Sequence, residues 1–305
     1  MGCRLTGLIA AACTPLGEDG TLALERVPVI VDYLERAGVK GLYICGSTGE
    51  GVSLASDERR AVADAYVKAA RGRLKTIVQV AHNSLVEARQ LAAHAQQIGA
   101  DVISATAPSY FKADSVEVLA DCVAQIASAA PELPFYYYHI PALTGVALDM
   151  VDLLPLAAER TPNLVGMKYT APTVHEFQAC LELAGGRFDM LWGCDEMMLS
   201  ALAIGARGAI GSTYNIAAPL YCRLMEAFDR GDLTEARRLQ FLSVRMIRVM
   251  KRYPFHAALK AIMKMLGIDC GSCRLPLPGM EASQVTHLKR ELEALGFFDW
   301  ARPTA

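Results

Sequence analysis

Long apolar runs are missing from this 305-residue chain. No stretch is long enough to cross a bilayer, and no basic start followed by an apolar middle marks it for export. The expectation is a cytoplasmic protein with no membrane partner. An excess of charge of either sign is missing as well. The 30 Lys and Arg face 32 Asp and Glu, for a net charge of -2, which argues against a nucleic-acid surface. No Gly-x-Gly-x-x-Gly turn follows the first strand-like segment, which counts against a dinucleotide fold. No cluster of His, Cys, Asp and Glu has complete metal-ligand spacing. Cys270-Gly271-Ser272-Cys273 comes nearest, but no second pair or nearby histidine completes it, and it reads as a loop with two thiols. The nine cysteines are odd in number and scattered through apolar segments, a pattern of reduced thiols rather than of a disulfide framework. The start, Met1-Gly2-Cys3-Arg4-Leu5-Thr6, fits a loose myristoylation pattern. No polybasic cluster accompanies it, and a single acyl chain binds membranes only marginally, so anchoring is not expected.

What is present is an apolar chain, 53% hydrophobic, in which short apolar runs alternate with segments of helical period. Strands are expected at 8–13, 41–45, 75–80, 101–105, 135–138, 164–168, 190–192 and 208–210. Helices are expected at 24–36, 57–70, 85–98, 116–129, 150–159, 174–183, 196–204 and 219–228. Such alternation implies a parallel sheet with right-handed crossovers. Eight units in about 225 residues fit a (β/α)8 TIM barrel better than an open sheet. The barrel is placed at 1–230, and 231–305 is read as a C-terminal three-helix extension packed on it, with helices at 239–251, 256–266 and 282–295.

Barrel enzymes place their chemistry at the carboxyl ends of the strands. The second strand runs into Gly46-Ser47-Thr48-Gly49-Glu50-Gly51, a turn with two hydroxyls and free N–H groups suited to an anion such as a carboxylate. It lacks a P-loop lysine, so a nucleotide is not expected. The fifth strand ends Tyr136-Tyr137-Tyr138-His139-Ile140-Pro141. Alternation puts Tyr136 and Tyr138 on one face and His139 on the other, where a structural hydrogen bond is expected for it. The sixth, Leu164-Val165-Gly166-Met167-Lys168-Tyr169-Thr170, places Leu164, Gly166 and Lys168 on one face. With glycine two residues below it, Lys168 has room to lie inward among apolar walls. Burial there disfavours the ammonium and frees an amine to attack a carbonyl. The seventh strand ends Trp192-Gly193-Cys194-Asp195-Glu196, whose carboxylates suit either substrate hydroxyls or the next helix N-terminus. The eighth ends Gly211-Ser212-Thr213-Tyr214-Asn215, and the fourth Ala107-Pro108-Ser109-Tyr110.

Gly46-Ser47-Thr48-Gly49-Glu50, Tyr138 with Ile140-Pro141, and Lys168 together resemble the pyruvate-dependent class I aldolases of the N-acetylneuraminate lyase and dihydrodipicolinate synthase family. The likeness covers nearly the whole chain. Where the synthase branch carries an arginine after the tyrosine strand, this chain has Leu143, and the strand ends are similar to the lyase branch. The resemblance implies a Schiff base on Lys168, with Tyr138 as proton carrier and Ser47 linking it to Tyr110 of a neighbouring subunit. It further implies that Ser47 and Thr48 hold the substrate carboxylate, and that Thr170, Gly193, Asp195, Glu196 and Ser212 contact a sugar chain. A homotetramer is implied, and no metal or organic cofactor, because the lysine adduct is the electron sink. The implied substrates are a sialic acid and pyruvate. The alternatives are an aldolase for another 2-keto-3-deoxy sugar acid, a synthase-like condensation, or a non-catalytic binder on the same fold.

Overall fold

The computed structural model describes residues 4–303. The first three residues of the acylation-like start lie outside them.

Eight strands run through the chain: β1 (Gly7–Ala11), β2 (Gly41–Ile44), β3 (Lys75–Gln79), β4 (Val102–Thr106), β5 (Phe135–His139), β6 (Leu164–Tyr169), β7 (Asp189–Trp192) and β8 (Gly208–Gly211). They close into one barrel in chain order, and β1 pairs with β8 in parallel as it does with β2. The (β/α)8 TIM barrel read from the alternation is what the chain adopts. Helices follow the first four strands as α1 (Val27–Arg36), α2 (Ser56–Ala70), α3 (Leu85–Gln97) and α4 (Val116–Ala127). A single turn, α5 (Pro141–Thr144), precedes α6 (Met150–Arg160). The barrel is completed by α7 (Val174–Glu182), α8 (Met198–Ala203) and α9 (Tyr214–Asp229). Beyond it lie α10 (Leu233–Met250), α11 (Phe255–Met265), α12 (Ala282–Ala294) and the one-turn α13 (Phe297–Trp300).

The strands read as nearly continuous apolar runs because both of their faces are covered. One face fills the barrel, where Ile9, Tyr43, Ile77, Tyr136, Tyr138, Leu191 and Ile210 form a cluster of their own. The other packs on the helices, in a second core that takes in Val27, Ile30, Val31 and Leu34 of α1. Those four positions have the spacing of one helix face.

Three local differences from the sequence reading have physical causes. The β5–β6 register slips between Phe135 and Tyr136, which pair with Leu164 and Gly166. The bulge changes which face the strand's first residues take. Leu164 therefore packs in the outer core with Met167, while Val165 packs against the barrel interior. Gly166 does not open space for Lys168. A Cβ on it would fall 1.8 Å from the carbonyl oxygen of Asp189, so its role is to let β7 approach. Third, α10 starts at Leu233, earlier than expected, because Asp232 caps it by accepting from the Glu235 N–H at 3.0 Å.

Candidate active site

The turn after β2 is held from behind by buried charge. Glu50 points away from the barrel mouth, and its carboxylate meets the Lys260 ammonium of α11 at 2.6 Å and accepts from the Arg274 N–H at 2.8 Å. Both ion-pair side chains are fully or almost fully buried. Lys260 also donates to the Ser272 carbonyl at 2.6 Å. From the other side Thr14 donates to the Gly49 carbonyl at 2.6 Å. His256, also on α11, lies 3.0 Å from the Ser47 carbonyl through Nε2. The helices after the barrel thus fix the turn that carries Ser47 and Thr48.

Lys168 points into the barrel mouth and is buried. Its Nζ lies 3.8 Å from the centre of the Tyr138 ring and 4.3 Å from that of Tyr43. The two tyrosines meet edge to face, 5.5 Å between centres. Burial raises the Tyr43 phenol well above its ordinary pKa, and its hydroxyl donates to Ser104 at 3.0 Å. Tyr138 and Tyr136 share the interior face, as alternation predicts. His139 faces outward as expected, but not into a hydrogen bond. Its ring packs on Tyr169, 5.0 Å between centres, and its Nδ1 is buried without a partner. Burial lowers its pKa to about 4, so the ring is neutral at neutral pH.

Lys168, Tyr138, Ser47, Thr48, Thr170, Gly193, Asp195, Glu196 and Ser212 all line one cavity of ≈ 210 Å³ at the carboxyl end of the barrel. Wider clefts exist, among them ≈ 290 Å³ at the opposite face around Lys40 and Arg71, and ≈ 630 Å³ along α1 and α2. Neither contains a residue singled out from the sequence, and barrel chemistry sits at the carboxyl end. Thr48 and Ser212 join the second and eighth turns by a 2.7 Å hydroxyl pair. Asp195 turns inward and is buried, accepting from the Thr213 N–H at 2.9 Å and hydroxyl at 2.6 Å. Burial pushes its pKa up to about 6, against the downward pull of the Thr213 bonds. Gly211 makes that placement sterically feasible, since a Cβ there would fall 1.9 Å from Asp195 Oδ1. Glu196 lies nearer the surface and pairs with Lys251 at 2.8 Å. The Thr170 hydroxyl oxygen is buried with no partner.

The cavity does not account for two of the residues expected at it: Ser47 as a link to Tyr138, and Tyr110, which is expected from a neighbouring subunit. Among the described residues no hydrogen bond joins Ser47 to Tyr138. Tyr110 does not reach the cavity; it is 77% exposed beside Phe111, 86% exposed. The sequence reading missed His256, Phe255 and Lys251, which close the cavity from the C-terminal helices. Their only signal was position in or beside an amphipathic segment, which does not say what the segment packs against.

A closed parallel barrel with a buried lysine between two phenol rings defines a (β/α)8 protein equipped at its carboxyl face. The chain belongs to the dihydrodipicolinate synthetase family, whose sequence model matches residues 4–295. The N-acetylneuraminate lyase of Rattus norvegicus is 38% identical over 302 residues, 97% of this chain and 94% of that protein. N-acetylneuraminate lyase A of Xenopus laevis is 41% identical over 280 residues, covering 90% and 92%. The solved structure of Proteus mirabilis N-acetylneuraminate lyase superposes with a TM-score of 0.94 at 38% identity, covering 97% of this chain and all of that one.

Proposed function

We propose that this chain is an N-acetylneuraminate lyase, a carbon–carbon lyase that cleaves N-acetylneuraminate reversibly to N-acetylmannosamine and pyruvate through a Schiff base on Lys168. The observation that carries the reading is the Lys168 amine at the base of the cavity between the rings of Tyr43 and Tyr138. The amine adds to the C2 ketone of the open-chain substrate, and loss of water leaves a protonated imine. The faces of the two rings attract that cation. The C3–C4 bonding pair moves into the iminium to give an enamine, while the C4 hydroxyl yields its proton to Tyr138 and becomes the aldehyde. Protonation at C3 and hydrolysis release pyruvate and restore the amine.

Ser47 and Thr48 would hold the carboxylate through N–H and hydroxyl groups of a turn kept in place by Glu50 and His256. The polyol chain would lie against Thr170, Gly193, Asp195, Glu196 and Ser212, a wall of hydroxyls and carboxylates. No metal or organic cofactor enters, since the imine is itself the electron sink. We place the protein in the cytoplasm as a homotetramer in which the exposed Tyr110 meets a neighbouring subunit; no helix among the described residues is long and apolar enough to cross a membrane. The test is pyruvate release across a panel of keto acids. N-acetylneuraminate should lead it, and aspartate semialdehyde should be a poor partner for pyruvate with Leu143 at the arginine position. Preference for a shorter 2-keto-3-deoxy sugar acid would replace the substrate while keeping the chemistry.

A further inference from the structure

A line of buried hydroxyls connects α10 to the cavity. The Thr213 hydroxyl, 2.6 Å from Asp195 Oδ2, is also 2.6 Å from the Tyr221 hydroxyl. Tyr221 in turn lies 2.7 Å from the Ser243 hydroxyl. All three side chains are essentially inaccessible to solvent. Each hydroxyl has one proton to give, and an ionised carboxylate only accepts. Thr213 therefore directs its proton to Asp195 and must accept from Tyr221, and Tyr221 must accept from Ser243. The order is fixed: Ser243 to Tyr221 to Thr213 to Asp195. One turn earlier on the same face of α10, Gln240 donates to the Asp195 carbonyl at 3.3 Å and accepts from the Leu199 N–H at 2.8 Å.

We infer that Tyr221 and Ser243, neither of which lines the cavity, are positioning residues that hold Asp195 ionised and fixed for a hydroxyl of the sugar acid. The inference rests on the substrate reading above. Asp195 faces Lys168 from β6, Cys194 and Glu196 from its own turn, and Tyr214 and Tyr221 from α9. Lys251, at the end of α10, reaches it through Glu196. The Tyr214 hydroxyl, its pKa raised by burial and by the nearby Asp195 carboxylate, is not within hydrogen-bond reach of Oδ1, and both atoms are buried without a close partner. The side-chain donor at hydrogen-bond distance is Thr213, at the end of the hydroxyl line. Hydrogen bonds aimed at the charged form favour it, against burial. Removing the far end of the line weakens the donor at the near end.

The experiment compares the parent with Ser243→Ala and Tyr221→Phe. In the variants the acid limb of kcat/KM on N-acetylneuraminate should move to higher pH. KM should rise about 3- to 10-fold, the span of one net hydrogen bond, with pyruvate trapping on Lys168 unchanged. A loss equal at every pH, or unchanged kinetics, overturns the inference. If the parent traps pyruvate but cleaves no sugar acid, the substrate reading has failed, and unfolding without substrate tests the line. The folded pKa of Asp195 lies above its unfolded value, so its contribution to stability is present at low pH and lost as pH rises through about 6. Both variants should then be more destabilised at about pH 8 than at about pH 4. An equal difference at both pH values overturns the inference on this readout as well.

Discussion

Replacing Lys260 by methionine should destabilise the protein by about 3–5 kcal/mol and disable the cavity, because it strips the counter-charge from a buried carboxylate. Glu50 and Lys260 side chains are 0% and 2% exposed and meet at 2.6 Å. Without the ammonium, Glu50 keeps the Arg274 N–H at 2.8 Å but faces no cation across that contact. Breaking a buried pair costs far more than replacing both partners, since a lone buried charge is what is expensive. The double variant Glu50→Gln with Lys260→Met should therefore recover much of the loss. The Gly46–Gly51 turn hangs on this pair, so kcat/KM should fall in the single variant about 10²-fold, the effect of a shift of about 1 Å in a positioning group. Urea unfolding followed by fluorescence gives the stability, and pyruvate release gives the rate. A single variant within about 0.5 kcal/mol of the parent, the range of an ordinary surface change, would refute the reasoning. So would a double variant no more stable than the single.

Three further outcomes follow from the same geometry. Tyr138→Phe keeps the ring that faces Lys168 and loses only the hydroxyl, so it should fold normally and trap pyruvate slowly while turnover falls about 10²–10⁴-fold; near-parental turnover would make Tyr138 packing alone. Gly211→Ala puts a methyl 1.9 Å from Asp195 Oδ1, so KM for the sugar acid should rise while pyruvate adduct formation persists, and unchanged KM would remove Asp195 from substrate contact. Strong chelator should leave turnover intact, since in the proposed scheme the imine on Lys168 is the electron sink that a metal would otherwise provide; activity lost in chelator and restored by a divalent ion would contradict the Schiff-base scheme.

The barrel was legible in the sequence because each strand is a short apolar run bounded by turn residues, and each helix repeats its apolar positions on one face. Strand alternation, which holds locally, grouped Tyr136 with Tyr138 on the face opposite His139. The inward aim of Lys168 rested instead on room above Gly166, and Lys168 points inward without it, since that glycine makes way for β7. Alternation failed at Leu164 because the slip between Phe135 and Tyr136 is a property of two paired strands, not of either one. Glu50 could be read only as part of a turn, since its partner Lys260 lies 210 residues away. A separation of 209 residues likewise hid His256 from Ser47, and the line from Ser243 to Asp195 runs through links 22, 8 and 18 residues apart that share no helical or strand period. Helical period predicts that α10 and α11 form, yet which strand ends they cover is decided by packing against the finished barrel. Buried polar pairs of this kind carry no local pattern, and they are what converts eight strand ends into one cavity.

The central claim is that Lys168 is the nucleophile. Borohydride reduction in the presence of pyruvate, followed by peptide mass spectrometry, tests it most directly. The account predicts a stable pyruvate adduct on Lys168 alone, absent in Lys168→Ala although that variant remains folded. An adduct on any other lysine, or no adduct while the protein still releases pyruvate from N-acetylneuraminate, would contradict it.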